Sequence, residues 1–170
     1  VGIGEGLRVK VNANIGTSPD LADLSLEEQK LASAVKAGAD TIMDLSIGGD
    51  IKETRRRIIS QSPLPLGTVP IYEAAVGTAR EKGNIQEMKV EDIFKVIEEQ
   101  AKDGVDFMTI HAGITLSTIE QLRKQGRVTG IVSRGGAFLL CWMWQNGKEN
   151  PLYEHFADLL DILRKYDVTI

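Results

Sequence analysis

A junction between a helix and a strand recurs in this chain, and it constrains the possible fold more than any other feature of the sequence. Residues 36–43 (KAGADTIM) resemble residues 102–108 (KDGVDFM), and residues 165–170 (KYDVTI) form a third, weaker copy. Each copy has the pattern of a helix end, a tight turn with an aspartate, and an apolar strand. Strands that alternate with helices through such short turns are typical of parallel βαβ units.

Apolar runs of strand length predict five complete strands and the start of a sixth, with helices between them. The strands are predicted at residues 8–16, 41–46, 65–72, 105–111, 128–136 and 167–170. The helices are predicted at residues 26–37, 51–60, 90–102, 117–125, 137–144 and 151–164, with a short helix or an irregular connection at 73–83. Ser25 and Glu28 have the spacing of a capping box at the start of the first helix.

The alternation of strands and helices favours a (β/α)8 barrel over a six-stranded open sheet. A complete barrel needs about 250 residues, and this chain has 170. We therefore expect residues 1–170 to form a single α/β domain, a partial (β/α)8 TIM barrel with about five βα units and the start of strand six.

The composition argues against nucleic-acid and membrane partners. The net charge is -4, and the basic residues form no block of the kind that binds nucleic acid. The longest apolar run, residues 137–144, has eight residues, whereas a membrane span needs about 20. Cys141 is the single cysteine, which excludes an internal disulfide and a CxxC site and suits a reducing cytoplasm. We therefore expect a cytoplasmic protein.

Polar residues follow the apolar part of each predicted strand. The carboxyl ends of parallel strands meet at one edge of the sheet, and in a barrel that edge forms the mouth where catalysis takes place. The residues expected to converge at this mouth are Asn14, Met43, Asp44, Ser46, Tyr72, His111, Ser133 and Arg134.

Several of these positions can be interpreted either as functional residues or as structural ones. Ser133, Arg134 and Gly135 supply a hydroxyl, a guanidinium and approachable backbone N–H groups just before a helix, which suits a phosphate. The alternative is a turn with a surface arginine. His111 could act as an acid or base near neutral pH, or it could end a strand and bind a backbone carbonyl. Asn14 can offer a donor and an acceptor to a polar heterocycle.

The remaining polar and aromatic positions are expected to be structural. Asp44 is predicted to bind neighbouring backbone N–H groups, and residues 55–57 (RRR) are predicted to form a solvated helix face. Residues 142–144 (WMW) are predicted to lie in the core, and His155 on a helix surface. No lysine ends a strand, which argues against Schiff-base chemistry, and no cluster of histidines and carboxylates predicts a metal site within these residues.

Five segments of the sequence resemble the phosphomethylpyrimidine synthase (ThiC) family of thiamine biosynthesis. They are residues 11–16 (VNANIG), 43–46 (MDLS), 67–72 (GTVPIY), 109–113 (TIHAG) and 130–136 (GIVSRGG), and residues 148–150 and 152–156 are also similar to that family. The likeness runs in order over essentially all 170 residues. The substrate-contacting positions of the family correspond to Asn14, Met43, Tyr72, His111, Ser133, Arg134 and Gly135, and no catalytic residue is assigned.

The resemblance implies a radical S-adenosylmethionine (SAM) enzyme, a carbon–carbon lyase on a (β/α)8 barrel. Such an enzyme rearranges 5-aminoimidazole ribonucleotide to 4-amino-5-hydroxymethyl-2-methylpyrimidine phosphate. The resemblance also implies that the parent protein is a homodimer and uses S-adenosylmethionine, a [4Fe–4S] cluster and zinc. The ligands of the cluster and of the metal have no counterpart within residues 1–170. We therefore expect this chain to be the substrate-binding part of the enzyme, inactive by itself.

Two alternatives stay open at the level of sequence. A related enzyme that converts the same ribonucleotide to hydroxybenzimidazole would carry similar motifs. A non-catalytic phosphate-binding half-barrel, which could dimerise through its open sheet edges, is the other alternative.

Overall fold

The computed structural model describes all of residues 1–170 and shows an α/β fold built on one parallel sheet. Its four strands lie in chain order across the sheet: β1 (Asn12–Ile15), β2 (Thr41–Asp44), β3 (Leu66–Thr68) and β4 (Phe107–Met108). Eight α-helices accompany them: α1 (Leu24–Lys36), α2 (Ile51–Gln61), α3 (Pro70–Lys82), α4 (Val90–Asp103), α5 (Leu116–Gln125), α6 (Arg134–Asn146), α7 (Pro151–Glu154) and α8 (Phe156–Lys165). A 3-10 turn (Ile85–Glu87) joins α3 to α4. None of these helices combines the length and the apolar character that crossing a lipid bilayer requires.

The two faces of the sheet differ in burial. On one face, Ile42 of β2 and its registered neighbour Leu66 of β3 are fully buried and pack with Leu31 of α1. On the other face, Asn14 is exposed and Met43 is half-buried. Right-handed crossovers between strands in chain order place the connecting helices α1 to α4 on the same side of the sheet. The helices therefore cover one face, and the face with Asn14 and Met43 stays open.

The larger apolar core lies beyond β3 and β4, where α3, α4, α6 and α8 pack together. Ile97 of α4 is fully buried there, and Trp142 of α6 donates its Nε1–H to the carbonyl of Met88 at 2.6 Å. The prediction that residues 142–144 are core is confirmed for Trp142 and Met143 and is wrong for Trp144, which is 61% exposed. Residues two positions apart in an α-helix are separated by about 200° around its axis, so Trp144 lies on the side opposite Trp142.

Two helices begin earlier in the chain than the sequence predicts, because Asp23 caps one of them and Pro70 is the first residue of the other. Asp23 caps α1, since its Oδ1 accepts from the N–H groups of Ser25 at 2.8 Å and Leu26 at 3.4 Å. The capping box predicted at Ser25 is therefore wrong. Pro70 is the first residue of α3, where its missing N–H costs nothing. The predicted third strand consequently ends at Thr68, and the region at 73–83 belongs to a regular helix.

The last predicted helix, residues 151–164, is interrupted. Its two parts, α7 and α8, meet at His155, whose backbone angles (φ -103, ψ 34) leave the helical region. The side chain of His155 is about half exposed and meets the ring of Phe94 edge-on at a centroid distance of 6.0 Å. The expectation that His155 lies on a helix surface is therefore confirmed in substance.

The fifth predicted strand, residues 128–136, is absent from the sheet. Residues 128–133 form an irregular segment, and the rest of the range belongs to the first turn of α6. Gly126 and Gly130 have positive φ angles of 70 and 60, which turn the chain away from an extended path. The side chain of Val128 is fully exposed and that of Val132 is 73% exposed, so these apolar residues do not pack into the core as strand residues would.

The start of the sixth predicted strand takes the place beside β4. Thr169 forms a parallel bridge with Phe107, and its carbonyl accepts from the N–H of Met108 at 2.8 Å. The N–H of Thr169 donates to the carbonyl of Asp106 at 2.9 Å. The third copy of the recurring junction therefore does lead into a residue with strand pairing, Thr169. Thr169 pairs with β4, however, and not with a fifth strand.

A buried arginine ties the helix layer together beneath the sheet. Arg55 of α2 is 1% exposed and pairs with Glu73 of α3 at 2.5 Å and with Asp103 of α4 at 2.7 Å. Burial opposes ionisation of Asp103 most strongly, but hydrogen bonds and charge from Arg55 and Arg56 outweigh it and lower the pKa of Asp103. The predicted solvated face is therefore wrong for Arg55 and confirmed for Arg56 and Arg57, which are exposed.

Replacing Arg55 with alanine is expected to destabilise the fold far more than replacing Arg57. Arg55→Ala leaves the buried carboxylate of Glu73 without its cation, a change that typically costs about 3–5 kcal/mol. Arg57→Ala is the matched control, because Arg57 pairs with Glu28 at the surface, where such pairs contribute about 1 kcal/mol or less. Urea unfolding monitored by circular dichroism measures the free energy of unfolding of both variants. Equal decreases in the two variants would contradict the structural role of Arg55.

Candidate functional site

A row of registered residues crosses the open face of the sheet. Asn14 of β1 is paired with Met43 of β2, Met43 with Gly67 of β3, and Gly67 with Phe107 of β4. The ring of Phe107 covers Gly67, and a Cβ atom there would lie 2.2 Å from the ring. Thr109 Oγ1 lies 4.0 Å from the sulfur of Met43 and lines the same face. The structure thus places Asn14 and Met43 side by side, as the sequence predicted.

Five of the predicted site residues form a second group around His111. His111 Nε2 lies 2.9 Å from Ser133 Oγ, and the centroid of its ring lies 6.5 Å from that of Tyr72. The guanidinium of Arg134 lies over the ring of Tyr72 at 5.1 Å. A Cβ atom on Gly135 would lie 2.5 Å from the His111 ring, so only glycine lets the start of α6 approach so closely.

Ser133 has two roles because α6 begins at the next residue. It is the N-cap of the helix, and its Oγ accepts from the N–H of Gly136 at 3.2 Å. With that hydrogen bond made, the Ser133 hydroxyl can donate its proton to His111 Nε2. Such a bond requires a neutral imidazole with its proton on Nδ1. Burial lowers the pKa of His111, which favours this neutral form.

The start of α6 offers unused hydrogen-bond donors. The backbone N–H groups of Arg134 and Gly135 make no hydrogen bond within the chain, and the guanidinium of Arg134 has no carboxylate partner. The N-terminus of a helix carries partial positive charge, and a guanidinium adds a full one. This corner of the molecule is therefore suited to an anion.

The structure corrects the local setting of four predicted site positions, and the four still lie together. Tyr72 lies in the first turn of α3 rather than at a strand end, and Arg134 and Gly135 open α6 rather than ending a strand. His111 lies three residues beyond the last residue of β4. Helix starts and strand ends occupy the same edge of a parallel α/β layer, which explains why the group still assembles.

A cavity of about 500 Å³ adjoins this second group. His111 and Ser133 belong to its wall, whereas Tyr72, Met43 and Asn14 do not. The cavity therefore opens from His111 toward α5 and not over the row on the sheet. Its lining residues are His111, Gly113, Ile114, Thr118, Ile119, Gln121, Leu122, Gln125, Gly126, Arg127, Ile131, Ser133 and Gly136.

Asp44 and Ser46 lie on the helix side of the sheet and serve the backbone. Asp44 Oδ1 accepts from the backbone N–H of Ser46 at 2.9 Å and from its hydroxyl at 2.5 Å. Ser46 Oγ in turn accepts from the N–H of Thr17 at 3.0 Å. Burial is the largest effect on Asp44 and raises its pKa. The structural interpretation of Asp44 is confirmed, and Ser46 joins the loops after β1 and β2.

Sequence reasoning missed three residues that shape the site: Phe107, Thr109 and Asn150. Phe107 and Thr109 alternate with buried Met108, and this period of two could have assigned them to the open face with Asn14 and Met43. Asn150 donates its side-chain amide to the carbonyl of His111 at 2.7 Å. No local pattern marks Asn150, because the contact spans 39 residues.

The residues of this chain do not fit a metal ion or an iron–sulfur cluster. No three histidine, cysteine, aspartate or glutamate side chains are grouped so that they could hold a metal. Cys141 is exposed and is the single cysteine, whereas such clusters are held by several thiolates.

A parallel sheet in chain order with helices between its strands is the fold of an α/β protein, and the carboxyl edge of such a sheet is where α/β proteins typically bind small molecules. Residues 1–170 match the Radical SAM ThiC family over their whole length, and the chain belongs to that family. It is 58% identical over 169 residues to the phosphomethylpyrimidine synthase of Thermoanaerobacter sp. (strain X514). It is 56% identical over 169 residues to that of Moorella thermoacetica and 55% identical over 169 residues to that of Thermus thermophilus.

These alignments cover 99% of this chain and 39% of each relative. The chain therefore spans about 39% of the length of the curated relatives that it matches.

The neutral state of His111 predicts a loss of stability at mildly acidic pH. Burial lowers the pKa of His111 from its usual 6.5, so the unfolded chain takes up this proton first as the pH falls. The free energy of unfolding should then decrease below about pH 6.5 and level off below the folded-state pKa. His111→Gln removes this contribution. The unfolding free energy of the wild type minus that of the variant should therefore decrease from about pH 7.5 to about pH 5.5. If the two plots of unfolding free energy against pH run parallel, this prediction is wrong.

Proposed function

We propose that the protein to which this chain belongs is a phosphomethylpyrimidine synthase, a radical S-adenosylmethionine lyase that rearranges 5-aminoimidazole ribonucleotide in thiamine biosynthesis. This chain supplies part of the ribonucleotide site through Asn14, Met43, Tyr72, His111, Ser133, Arg134 and Gly135. Family membership over residues 1–170 supports the reaction class. The gathering of five of these residues around the start of α6 is the observation that carries the role in binding.

The phosphate of the ribonucleotide is assigned to the corner formed by Arg134 and the first N–H groups of α6. Two backbone donors and a guanidinium without a carboxylate partner are available there. An anion at a helix N-terminus is stabilised by both the free N–H groups and the helix dipole. Ser133 borders the same corner, and the remaining lone pair of its Oγ can accept a hydrogen bond from a ribose hydroxyl.

The imidazole ring of the substrate is assigned to the open face of the sheet. Asn14 makes one hydrogen bond there, as its Oδ1 accepts from the Asn12 side chain at 2.9 Å. The Nδ2 group of Asn14 makes none within the chain, so it can donate to a ring nitrogen. The neighbouring Met43 sulfur is a polarisable surface for a flat heterocycle.

The fold is proposed to be part of a (β/α)8 barrel. The four strands follow one another in chain order, and the helices cover one face of the sheet. A doubly wound sheet would instead reverse its strand order and place helices on both faces. In a barrel, the open face would become the interior and its carboxyl edge the mouth.

S-adenosylmethionine and a [4Fe–4S] cluster supply the radical chemistry in enzymes of this class. Residues 1–170 contain no group of side chains that fits the cluster. Their contribution is to bind and orient the ribonucleotide. The involvement of zinc, the homodimer and the cytoplasmic location stay predictions from the family resemblance.

The reaction is tested with the full-length protein, reconstituted anaerobically and supplied with S-adenosylmethionine, a reductant and 5-aminoimidazole ribonucleotide. Mass spectrometry should detect 4-amino-5-hydroxymethyl-2-methylpyrimidine phosphate. Hydroxybenzimidazole as the product would overturn the assignment to thiamine biosynthesis, and binding without turnover would overturn the assignment as an enzyme.

Arg134→Ala in the full-length protein is expected to weaken ribonucleotide binding by about 1.5–3 kcal/mol, the range for a hydrogen bond to a charged group. This loss corresponds to roughly 10- to 150-fold in Kd. Arg123→Ala is the matched control, because the guanidinium of Arg123 also lies over an aromatic ring, that of Trp144 at 4.3 Å. Isothermal titration calorimetry measures both variants. An unchanged Kd for Arg134→Ala would reject the phosphate assignment.

A further inference from the structure

Asn150 is a buried polar side chain outside the proposed binding residues, and both ends of its amide make hydrogen bonds. It is 0% exposed, and its Nδ2 group donates to the carbonyl of His111 at 2.7 Å and to the carbonyl of Ile114 at 2.9 Å. Its Oδ1 accepts from the N–H of Leu152 at 2.9 Å, which caps α7. Both amide protons and the amide oxygen are therefore engaged, and two of the three bonds reach the turn that carries His111.

The preceding residue holds the other end of the same turn. The two carboxylate oxygens of Glu149 accept from the N–H of Leu116, the first residue of α5, at 3.1 and 3.2 Å. Glu149 Oε1 also accepts from the backbone N–H of Asn150 at 2.7 Å. Two consecutive side chains from the connection between α6 and α7 therefore clamp residues 111–116 at both ends.

Backbone hydrogen bonds do not fix the turn after β4. Ile110, Ala112 and Ile114 pack against the core, but residues 110–114 make no hydrogen bond to another backbone group, so their carbonyls depend on side chains or solvent for hydrogen bonds. The ring of His111 has one hydrogen-bond partner, Ser133, and its Nδ1 is buried without a partner. Contact with Gly135 limits how far the ring can approach α6, but it does not hold the backbone of His111 in place.

We propose that Asn150 is a positioning residue for the ribonucleotide site, because it fixes the backbone of His111 and so sets where the imidazole ring meets Ser133 and the ligand. This inference rests on the proposed function, since it concerns the same site. Asn150 lies 39 residues from His111 in the chain, and none of its hydrogen bonds goes to a proposed substrate-binding side chain.

The test uses Asn150→Ser in the full-length protein. Serine is a good N-cap residue, so its hydroxyl can still accept from Leu152 and preserve the start of α7, while both donors to the His111 turn are lost. Asn146→Ser is the matched control, because the Asn146 amide also bridges two carbonyls, those of Gln86 at 3.1 Å and Trp142 at 2.9 Å. Both variants are compared at temperatures where thermal melting shows them to be folded.

Two measurements decide the outcome. In Asn150→Ser, the pKa of His111 measured by nuclear magnetic resonance (NMR) should rise toward its ordinary value as the loosened ring gains water, with the signal assigned from its loss in His111→Gln. The Kd for 5-aminoimidazole ribonucleotide should rise about tenfold, which is the effect of losing roughly one hydrogen bond. Asn146→Ser should change neither quantity. Wild-type values of both in Asn150→Ser would overturn the proposal.

The two proposals fail in different ways. If the wild-type protein does not bind the ribonucleotide, the proposed function fails, while the pKa of His111 still tests the positioning role. If Asn150→Ser does not fold, the wild-type protein decides: its Asn150 side-chain amide signals should shift when the ribonucleotide is added, and those of Asn146 should not. Unshifted Asn150 signals in a protein that binds the ribonucleotide would overturn the proposal.

Discussion

The parallel pairing of four strands in chain order is the constraint on which the rest of this structure depends. Right-handed connections between neighbouring strands all cross the same face, and the helices that form these connections bury most of it. The strands then deliver their carboxyl ends to one edge. This arrangement brings Asn14 and Met43 together although they are far apart in the chain, and the buried ion pairs of Arg55 lock three of the helices beneath them.

The second half of the site depends on a helix start rather than on a strand. Ser133 is the N-cap of α6, and the hydroxyl that caps the helix also hydrogen-bonds His111. The geometry of the cap therefore determines the orientation of the imidazole ring. Gly135 allows this because it has no side chain to keep the ring away. An exposed guanidinium and two unused N–H groups then stand at the edge of a largely neutral cluster.

The sequence predicts the parallel α/β class and the residues that lie together at this site. It predicts less well whether each of these residues belongs to a helix or to a strand. The repeated junction with its aspartate marks β2, β4 and the bridge at Thr169, because turn chemistry and apolar patterning are local signals. For Tyr72 the sequence predicts a strand, because its apolar neighbours outweigh the helix-starting preference of Pro70. For Arg55 the sequence predicts the surface, because its burial depends on carboxylates 18 and 48 residues away. The missing fifth strand reflects positive φ angles that composition alone does not specify.

The contact between Phe107 and Gly67 has a consequence for the topography of the open face. An aromatic ring fills the space above β3 because that strand contributes no side chain there. The open face is therefore aromatic where β3 and β4 lie and polar at Asn14 on β1. A planar molecule on this face would have one edge over the Phe107 ring and the other near the amide of Asn14. Because a Cβ atom at Gly67 would lie 2.2 Å from that ring, a larger residue would displace it, so the smallest residue of the sheet sets the position of the aromatic surface.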